Sequence, residues 1–398
     1  MDSIELFTGA GGLALGTHRA GFNHLAVVEW DQDSCDTLSL NTARRDITGV
    51  NWPIHCADVR QFDFSPYQRL DGIDLLAGGA PCQPFSLGGK HAGESDPRNM
   101  FPAVFRAVRA LRPRAIILEN VRGLLRESFR PYFNYIVAQL ARPFLQQRAE
   151  EAWWEHAVRL AQMDRAGGQT DDTELYDVAW QLVNVADYGV PQERHRVFIV
   201  AFRHDLAARW AFPAPTHSRE ALLYAQHVDS SYWSEHGIDA APLPERFRAR
   251  IRQLWHTPKP LLPRWRTVRD AISDLPEPVD YVAHPTIDNH MGIPDARSYP
   301  GHTGSPWNWP AKAIKAGDHG NPGGENMLRR DDHSVRYFTV RELARLQTFP
   351  DTWHFANSWT ENRRQLGNAV PVHMAERLAA AVHAELLRID QRARVVQV

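Results

Sequence analysis

Short apolar runs alternate with longer amphipathic stretches along the first 125 residues. The apolar runs predict strands at residues 4–7, 24–30, 54–57, 73–77 and 115–118. Residues 13–20 and 100–111 have the spacing of helices, and the second of these places Phe101, Val104, Phe105, Val108 and Leu111 on one face. Strands that alternate with helices predict an α/β fold with a doubly wound, mostly parallel sheet.

Polar and glycine residues follow the predicted strands at the edge where such sheets bind ligands. Phe7 opens a glycine turn, FTGAGG, after the first strand. Glu29, Asp58 and Glu119 follow or end the second, third and fifth strands. These carboxylates predict a convergent site, although each one alone is also typical of a solvated loop.

Cys82 follows the fourth strand, in the stretch GGAPCQPFS at residues 78–86. A lone free cysteine is most often a small buried hydrophobic residue. The alternative is a nucleophile at a strand end, held by Pro81 and Pro84, because each proline ring fixes its own φ. The two interpretations can be separated only by the rest of the chain.

Composition limits the possible classes of protein. The chain has 398 residues, of which 43% are hydrophobic, and this is enough for a large domain and a second, smaller one. Its three cysteines, Cys35, Cys56 and Cys82, predict neither a disulfide framework nor a metal site, and they favour a reducing cytoplasm. We expect no secretion signal and no membrane-spanning segment. The net charge of −2 means that nucleic-acid binding would need a local basic surface.

Six segments in a fixed order resemble those of the DNA (cytosine-5-)-methyltransferase family, of the restriction-modification type. They are FTGAGG at 7–12, PCQPFS at 81–86, ENV at 119–121, QERHR at 192–196, RELARLQTFP at 341–350 and GNAVP at 367–371. One such segment would be weak evidence, but six in order are specific. The family's Rossmann-like fold, with a smaller target-recognition domain, agrees with the sheet predicted above.

The resemblance implies a reaction and its residues. A methyl group would pass from S-adenosyl-L-methionine to C5 of a flipped-out cytosine in a specific double-stranded DNA sequence. Cys82 would attack C6, and Glu119 would protonate N3. Arg196 and Arg194 would hold the base O2 and brace the carboxylate.

The resemblance also implies the cofactor-binding residues. They are Phe7, Gly9 and Gly11 along the methionine part, Glu29 at the ribose, Trp30, Asp58 and Val59 at the adenine, and Pro81, Asn368 and Val370 around the pocket. For Trp30, ordinary packing in the core is the alternative.

Three regions are expected along the chain. Residues 1–202 form the catalytic domain with an insertion at about 141–177, residues 203–336 form the target-recognition region, and residues 337–398 return to the catalytic domain. Residues 246–269 hold eight Lys or Arg and no Asp or Glu, interleaved with aromatic residues. This run is typical of a DNA-facing surface, or of a solvated charged helix at 246–252. Residues 87–98 suit a loop that closes over DNA, with Lys90 and Arg98 at phosphates.

The expected partner is double-stranded DNA, bound by a monomer. Analogy with the family adds a cognate restriction endonuclease or another defence protein as a second partner. Two alternatives stay open, because relatives share the catalytic segments. The chain could be a transfer-RNA cytosine-5 methyltransferase, or a catalytically idle DNA-binding relative.

Overall fold

A central sheet organises the molecule, for which the computed structural model describes residues 1–81, 99–166, 171–317 and 324–396. The strands are β1 Asp2–Leu6, β2 Asn23–Glu29, β3 Ile54–Cys56, β4 Leu75–Gly78, β5 Ala115–Val121, β6 Tyr176–Asn184, β7 Gln192–Glu193, β8 His195–Arg203, β9 Ser305–Pro306, β10 Ala311–Lys312, β11 Met327–Arg329 and β12 Val335–Tyr337. The helices are α1 Gly12–Arg19, α2 Gln32–Ala43, α3 Arg45–Thr48, α4 Phe101–Leu111, α5 Arg130–Ala141, α6 Trp153–Ala166, α7 Arg219–His227, α8 Ser231–His236, α9 Arg248–Leu254, α10 Val268–Ile272, α11 Val340–Leu346, α12 Trp359–Asn368 and α13 Val372–Val396.

Seven strands form the sheet in the order β3-β2-β1-β4-β5-β8-β6. The first five strands of the chain pair in parallel, and β8 pairs antiparallel with β5 and β6. The predicted doubly wound, mostly parallel sheet is therefore confirmed. The strand β5 extends three residues beyond its predicted end, because its last residue, Val121, pairs with Arg196 of β8. Glu119 consequently lies inside a strand and not in a loop.

Both faces of the sheet are covered, as expected for parallel strands rich in apolar residues. Leu76, Ile116 and Leu118 point to the face that packs on α4 and α5. Leu75, Ala77, Ala115 and Ile117 point to the other face and pack against α13. Successive residues of one strand thus enter different hydrophobic cores.

Two glycines of α1 allow the C-terminal helix to approach closely. A Cβ atom on Gly16 would lie 2.3 Å from the Cβ of Ala375, and one on Gly12 would lie 2.2 Å from the carbonyl oxygen of Val370. Neither distance is possible for a real side chain, so these positions require glycine. The contact brings residues 367–371 beside the glycine turn that follows β1.

The expected insertion at about 141–177 contains helix α6. Helix α6 packs on α5, where the rings of Tyr135 and Trp153 lie 5.7 Å apart. The hydroxyl of Tyr135 is also 3.2 Å from Nδ1 of His156, which is fully buried. The insertion therefore extends the core on one face of the sheet.

The expected recognition region has a small core of its own and also shares cores with the catalytic part. Leu223, Ile251 and Leu254 form a small cluster of buried residues within the region, whereas the cluster around Tyr232 also includes Ala186. Residues of α10 and β10 instead pack in the same cluster as residues of α11 and α12. The boundary at residue 336 therefore stays a prediction.

The expectation that the chain has no disulfide is wrong. Cys35 and Cys56 form one, with their Cα atoms 5.9 Å apart. Cys56 ends β3 beside Glu29 of β2, and α2 begins just after β2, so the pairing of these strands brings the two thiols together. Their spacing of 21 residues gives no signal of this in the sequence. Within the described residues, no helix is both long enough and apolar enough to cross a bilayer.

His24 of β2 predicts how stability depends on pH. Its ring is buried against Ser3, Thr17 and the carbonyl of Ala14, and burial lowers its pKa to about 4. The unfolded chain binds a proton at this histidine below pH 6.5, whereas the folded chain binds one only near pH 4. We expect the free energy of unfolding to fall by about 1.4 kcal/mol for each pH unit below 6.5 until pH 4.

Urea unfolding followed by tryptophan fluorescence between pH 7 and 4 measures this slope. His24→Gln should remove that part of the slope, because glutamine does not titrate. His256→Gln, which replaces an exposed histidine, is the control and should keep the wild-type slope. Equal slopes for wild type and His24→Gln would contradict the assignment.

Candidate active site

The carboxyl ends of β1 to β5 meet at one edge of the sheet, and several of the predicted site residues that the structure describes lie along this edge. The turn after β1 adopts left-handed backbone angles, with φ of 56° at Phe7, 55° at Gly9 and 88° at Gly11. A Cβ on Gly11 would lie 3.0 Å from Leu38 and from the Trp353 ring. The turn therefore needs glycine for both its conformation and its packing.

The Glu29 carboxylate fixes this turn to the end of β2. It accepts hydrogen bonds from the backbone N–H groups of Gly9 at 2.7 Å, Trp30 at 2.8 Å and Asp31 at 2.9 Å. Burial raises the pKa of Glu29, and the three N–H groups partly offset the rise. A carboxylate has about four acceptor sites, so it can still accept a hydrogen bond from a ribose hydroxyl.

Trp30 and Asp58 stand at the same edge with different partners. The Trp30 side chain is 68% exposed, so the alternative that it packs in the core is wrong. Asp58 pairs with Arg60, whose Nε lies 2.9 Å from Oδ2, and this hydrogen bond lowers the pKa of Asp58. Val59 is buried. An exposed indole beside a turn of glycines is suited to cover a planar ring.

The C-terminal segment returns to this edge, as the sequence predicted. Val370 is buried with its carbonyl oxygen against Gly12, and Asn368 at the end of α12 is exposed. Arg364 of α12 reaches the end of β2, where its Nη2 lies 2.9 Å from Oδ2 of Asp31. Sequence reasoning missed this ion pair, because 333 residues separate its partners.

The predicted nucleophile, Cys82, lies outside the described residues, as do Lys90, Arg98 and residues 318–323. The chain leading to it is described as far as Pro81. Nδ2 of Asn120 donates a hydrogen bond to the carbonyl of Ala80 at 3.2 Å. A Cβ on Gly79 would lie 3.6 Å from Oε2 of Glu119. Gly79 and Ala80, which precede Cys82 in the chain, are thus held next to the ENV segment of β5.

Glu119 and Arg196 form a buried ion pair at this point. Nε of Arg196 lies 2.8 Å from Oε1 of Glu119, and both side chains are mostly shielded from solvent. Burial raises the pKa of Glu119, whereas the positive charges of Arg196 and Arg194 lower it. The raised pKa shows that burial outweighs the cations, which favours a carboxyl group that can hold a proton.

Arg194 is placed differently from its predicted role. The side chain is fully buried, and its guanidinium donates to the carbonyls of Ile314 at 3.0 Å, Gly367 at 2.6 Å and Ala369 at 3.1 Å. Both terminal nitrogens donate to backbone carbonyls, and the buried guanidinium has no surface exposed toward a base. Its charge still acts on Glu119. The structure therefore does not support the prediction that Arg194 holds the base O2. Arg194 instead joins segments of the chain through their backbone carbonyls.

Most cations in the basic run at 246–269 are paired with acids. Arg248, Arg250, Lys259, Arg264 and Arg269 each contact an acidic residue. Two of the acids, Glu245 and Asp270, lie directly before and after the run. The others come from other segments, so counting charges within the run missed all of them. Among the described residues, Arg246, Arg252 and Arg266 have no carboxylate within ion-pair distance. The basic surface is therefore narrower than the sequence indicates.

One group of side chains in the described part of the chain has the geometry of a metal site. Glu235, His236 and Asp270 bring their ligand atoms within 4.8 Å of one another. Arg264 already lies among them, with Nη1 2.6 Å from Asp270 and Nη2 3.0 Å from Glu235. Asp270 also caps α10 through Thr267. These acids are satisfied by an arginine and a helix end, and the group does not suit a cation.

Comparisons with known proteins agree with this geometry. A family profile described as C-5 cytosine-specific DNA methylase matches residues 1–142 and 168–384. The Type II methyltransferase M.NgoMIV of Neisseria gonorrhoeae is 32% identical over 380 residues, which cover 94% of each chain. The Type II methyltransferase M.Eco47II of Escherichia coli is 30% identical over 403 residues, covering 98% of this chain and 80% of the other.

Solved structures share the fold. A putative DNA modification methyltransferase encoded within an E. coli prophage has a TM-score of 0.59 at 21% identity, and the match covers 97% of this chain and 99% of that one. The S. pombe Dnmt2 methyltransferase has a TM-score of 0.56 at 16% identity, with coverage of 97% and 99%. Since the family profile spans most of the chain, the protein belongs to the C-5 cytosine-specific DNA methylase family and is a DNA cytosine-5 methyltransferase.

Proposed function

We propose that this enzyme methylates a cytosine that is flipped out of double-stranded DNA, through a covalent adduct between Cys82 and C6 of the base. The observation that carries the proposal is the buried Glu119–Arg196 ion pair, which stands where β4 leads into Pro81 and Cys82. A proton donor and a nucleophile on adjacent strand ends are the two groups that the reaction needs.

The edge of the sheet fits S-adenosyl-L-methionine as the methyl donor. Phe7, Gly9 and Gly11 would bind its methionine part, Glu29 its ribose and Trp30 its adenine. The left-handed turn permits close backbone approach at the start of α1, and the 68% exposed Trp30 offers a free ring face. When bound, the cofactor supplies a methyl group on a positively charged sulfur.

Cys82 would activate the base, because C5 of cytosine is a poor nucleophile. Attack of its thiolate forms an S–C6 bond and moves the electron pair of the C5–C6 double bond toward C4, which makes C5 an enamine carbon. After C5 has gained the methyl group, loss of its proton and cleavage of the S–C6 bond restore the ring and release the thiolate. The prolines on each side of Cys82 limit the turn to few conformations, which favours an aligned thiol.

Glu119 would make this attack possible by protonating N3. The ring then carries no negative charge as the S–C6 bond forms, and the proton returns to Glu119 when the thiolate leaves. Arg196 would hold the carboxyl group in place and donate hydrogen bonds from its remaining N–H groups to the base O2. Burial raises the pKa of Glu119, so the acid form needed for this step persists to higher pH.

A cytosine in a duplex hides C6, so it must leave the stack to reach Cys82. Flipping costs a few kcal/mol, which contacts from the region at 203–336 would offset. Arg246, Arg252 and Arg266, which have no carboxylate partner in the part of the chain that the structure describes, are suited to phosphates. The Type II names of the relatives support a restriction endonuclease as a partner that reads the same sequence.

Sequencing for 5-methylcytosine tests the substrate and the target site together. The protein is expressed in cells without cytosine-5 methylation of their own, and both DNA and transfer RNA are sequenced. We expect modification at one short DNA sequence, and none in cells expressing Cys82→Ala. Modification of transfer RNA alone would replace DNA as the substrate, and no modification of either would favour an idle relative.

Replacing the nucleophile should separate chemistry from cofactor binding. Cys82→Ala should abolish methyl transfer and leave the dissociation constant for S-adenosyl-L-methionine largely unchanged, because the thiol bonds to the base. Wild-type protein should form a stable adduct with DNA that carries 5-fluorocytosine at the target, since fluorine cannot leave as the proton does. Peptide mass spectrometry locates the adduct, and a site on Cys35 or Cys56 would overturn the assignment.

Replacing the proton donor should lower the rate but not binding. Glu119→Gln keeps the shape of the side chain and cannot transfer the proton, so kcat should fall by roughly 100-fold to 10,000-fold. In the wild type, kcat should decline as pH rises through the pKa of Glu119, because the carboxyl group then loses its proton. Glu5→Gln replaces another fully buried glutamate of the sheet and is the matched control. Full activity of Glu119→Gln in single-turnover assays would assign N3 protonation to another group.

A further inference from the structure

A segment of the expected recognition region is fastened directly onto the QERHR segment. Strand β10 pairs with β7, placing Ala311 beside Gln192 and Lys312 beside Glu193. Oε1 of Gln192 accepts a hydrogen bond from the N–H of Ile314 at 3.0 Å. Any displacement of β10 would therefore act on β7.

Two tryptophans of the same region donate their indole N–H groups to carboxylates that flank this contact. Nε1 of Trp265 lies 2.9 Å from Oδ1 of Asp187, and Nε1 of Trp309 donates to Oε1 of Glu193. The indole rings of Trp265 and Trp309 also touch edge to face, with centroids 6.0 Å apart. The backbone of Glu193 is thus held by the pairing of β7 with β10, and its side chain is held by the indole of Trp309.

Trp309 also contacts Phe247 and the guanidinium of Arg246. Its ring stacks on Phe247 at 5.0 Å with an angle of 25° between the planes. The guanidinium of Arg246 lies 4.5 Å from the Phe247 centroid and 5.6 Å from that of Trp309. Arg246 is exposed and has no carboxylate partner among the described residues, so its N–H groups are available to a DNA phosphate.

The path from this stack to the proton donor is short. Arg194 alone separates β7 from β8, and it is fully buried with its guanidinium bonded to three carbonyls. Two residues later, Arg196 pairs with Glu119. Only two residues, Arg194 and His195, therefore separate Glu193 from Arg196 of the ion pair.

We propose that Glu193 and Trp309 are positioning residues that couple DNA contact at Arg246 to the placement of Arg196 on Glu119. This inference rests on the proposed function. In this proposal, the hydrogen bond between Trp309 and Glu193 couples DNA binding to the geometry of the active site. Arg246 makes the contact, the aromatic stack holds Trp309, and Glu193 transmits its position along β7.

The test removes the hydrogen bond and keeps the stack. Trp309→Phe retains an aromatic ring beside Phe247 but has no N–H to donate to Glu193. We expect kcat on duplex DNA to fall about tenfold, the effect of losing a hydrogen bond to a charged group, with little change in KM for DNA. Trp307→Phe is the control, because Trp307 packs against Arg269, not Arg246. It should stay within twofold of wild type.

Two further readouts separate positioning from simple loss of structure. Displacing Arg196 removes a charge that lowers the pKa of Glu119, so the decline of kcat in Trp309→Phe should move to higher pH. Glu193→Gln keeps an acceptor for the indole and should lose less activity than Glu193→Ala. The double variant of Trp309→Phe and Glu193→Ala should be no slower than the worse single variant.

Each outcome decides a different claim. If wild-type protein does not methylate DNA, the proposed function fails. If it does, and Trp309→Phe keeps the wild-type kcat and pH profile, the coupling inference fails alone. Losses that multiply in the double variant would also overturn it, because they would place Trp309 and Glu193 on independent paths.

Discussion

The buried guanidinium of Arg194 holds together three parts of the chain that are remote in sequence. Its donors bind carbonyls of Ile314, in the expected recognition region, and of Gly367 and Ala369, in the C-terminal segment. A buried cation without acceptors is strongly unfavourable, so the folded state needs all of these segments in place. Because Arg194 lies between β7 and β8, the same requirement fixes Arg196 of the active site.

The opposite end of the site depends on a steric constraint and not on a charge. Gly12 and Gly16 let α1 lie against the start of α13, which carries Val370 to the glycine turn. Helix propensity would favour alanine at both positions, by about 1 kcal/mol each. Glycine is nevertheless needed at both positions, because a Cβ atom would clash with the segment at the start of α13. Arg364 then closes the gap between α12 and the end of β2 by pairing with Asp31.

Features set by local sequence could be predicted, whereas those set by distant partners could not. Continuous apolar runs specify β4 and β5, which are buried on both faces, and the left-handed turn requires the glycines that follow Phe7. By contrast, the extension of β5 to Val121 depends on pairing with β8, and the Cys35–Cys56 disulfide depends on pairing of β2 with β3. The charge of the 246–269 run was overestimated for the same reason, since most of its neutralising acids lie in other segments.

Three buried glutamates of the sheet differ in their surroundings, and this difference determines which of them is suited to donate a proton. Burial raises the pKa of each of Glu5, Glu29 and Glu119. Glu5 is enclosed in the middle of β1, with no path to a ligand, and Glu29 is committed to three backbone N–H groups. Glu119 is braced by Arg196 on one oxygen, while its other oxygen faces Gly79, which has no side chain to cover it. Of the three carboxyl groups with a raised pKa, Glu119 is the one next to the segment that leads to Cys82, which is why we propose it as the proton donor.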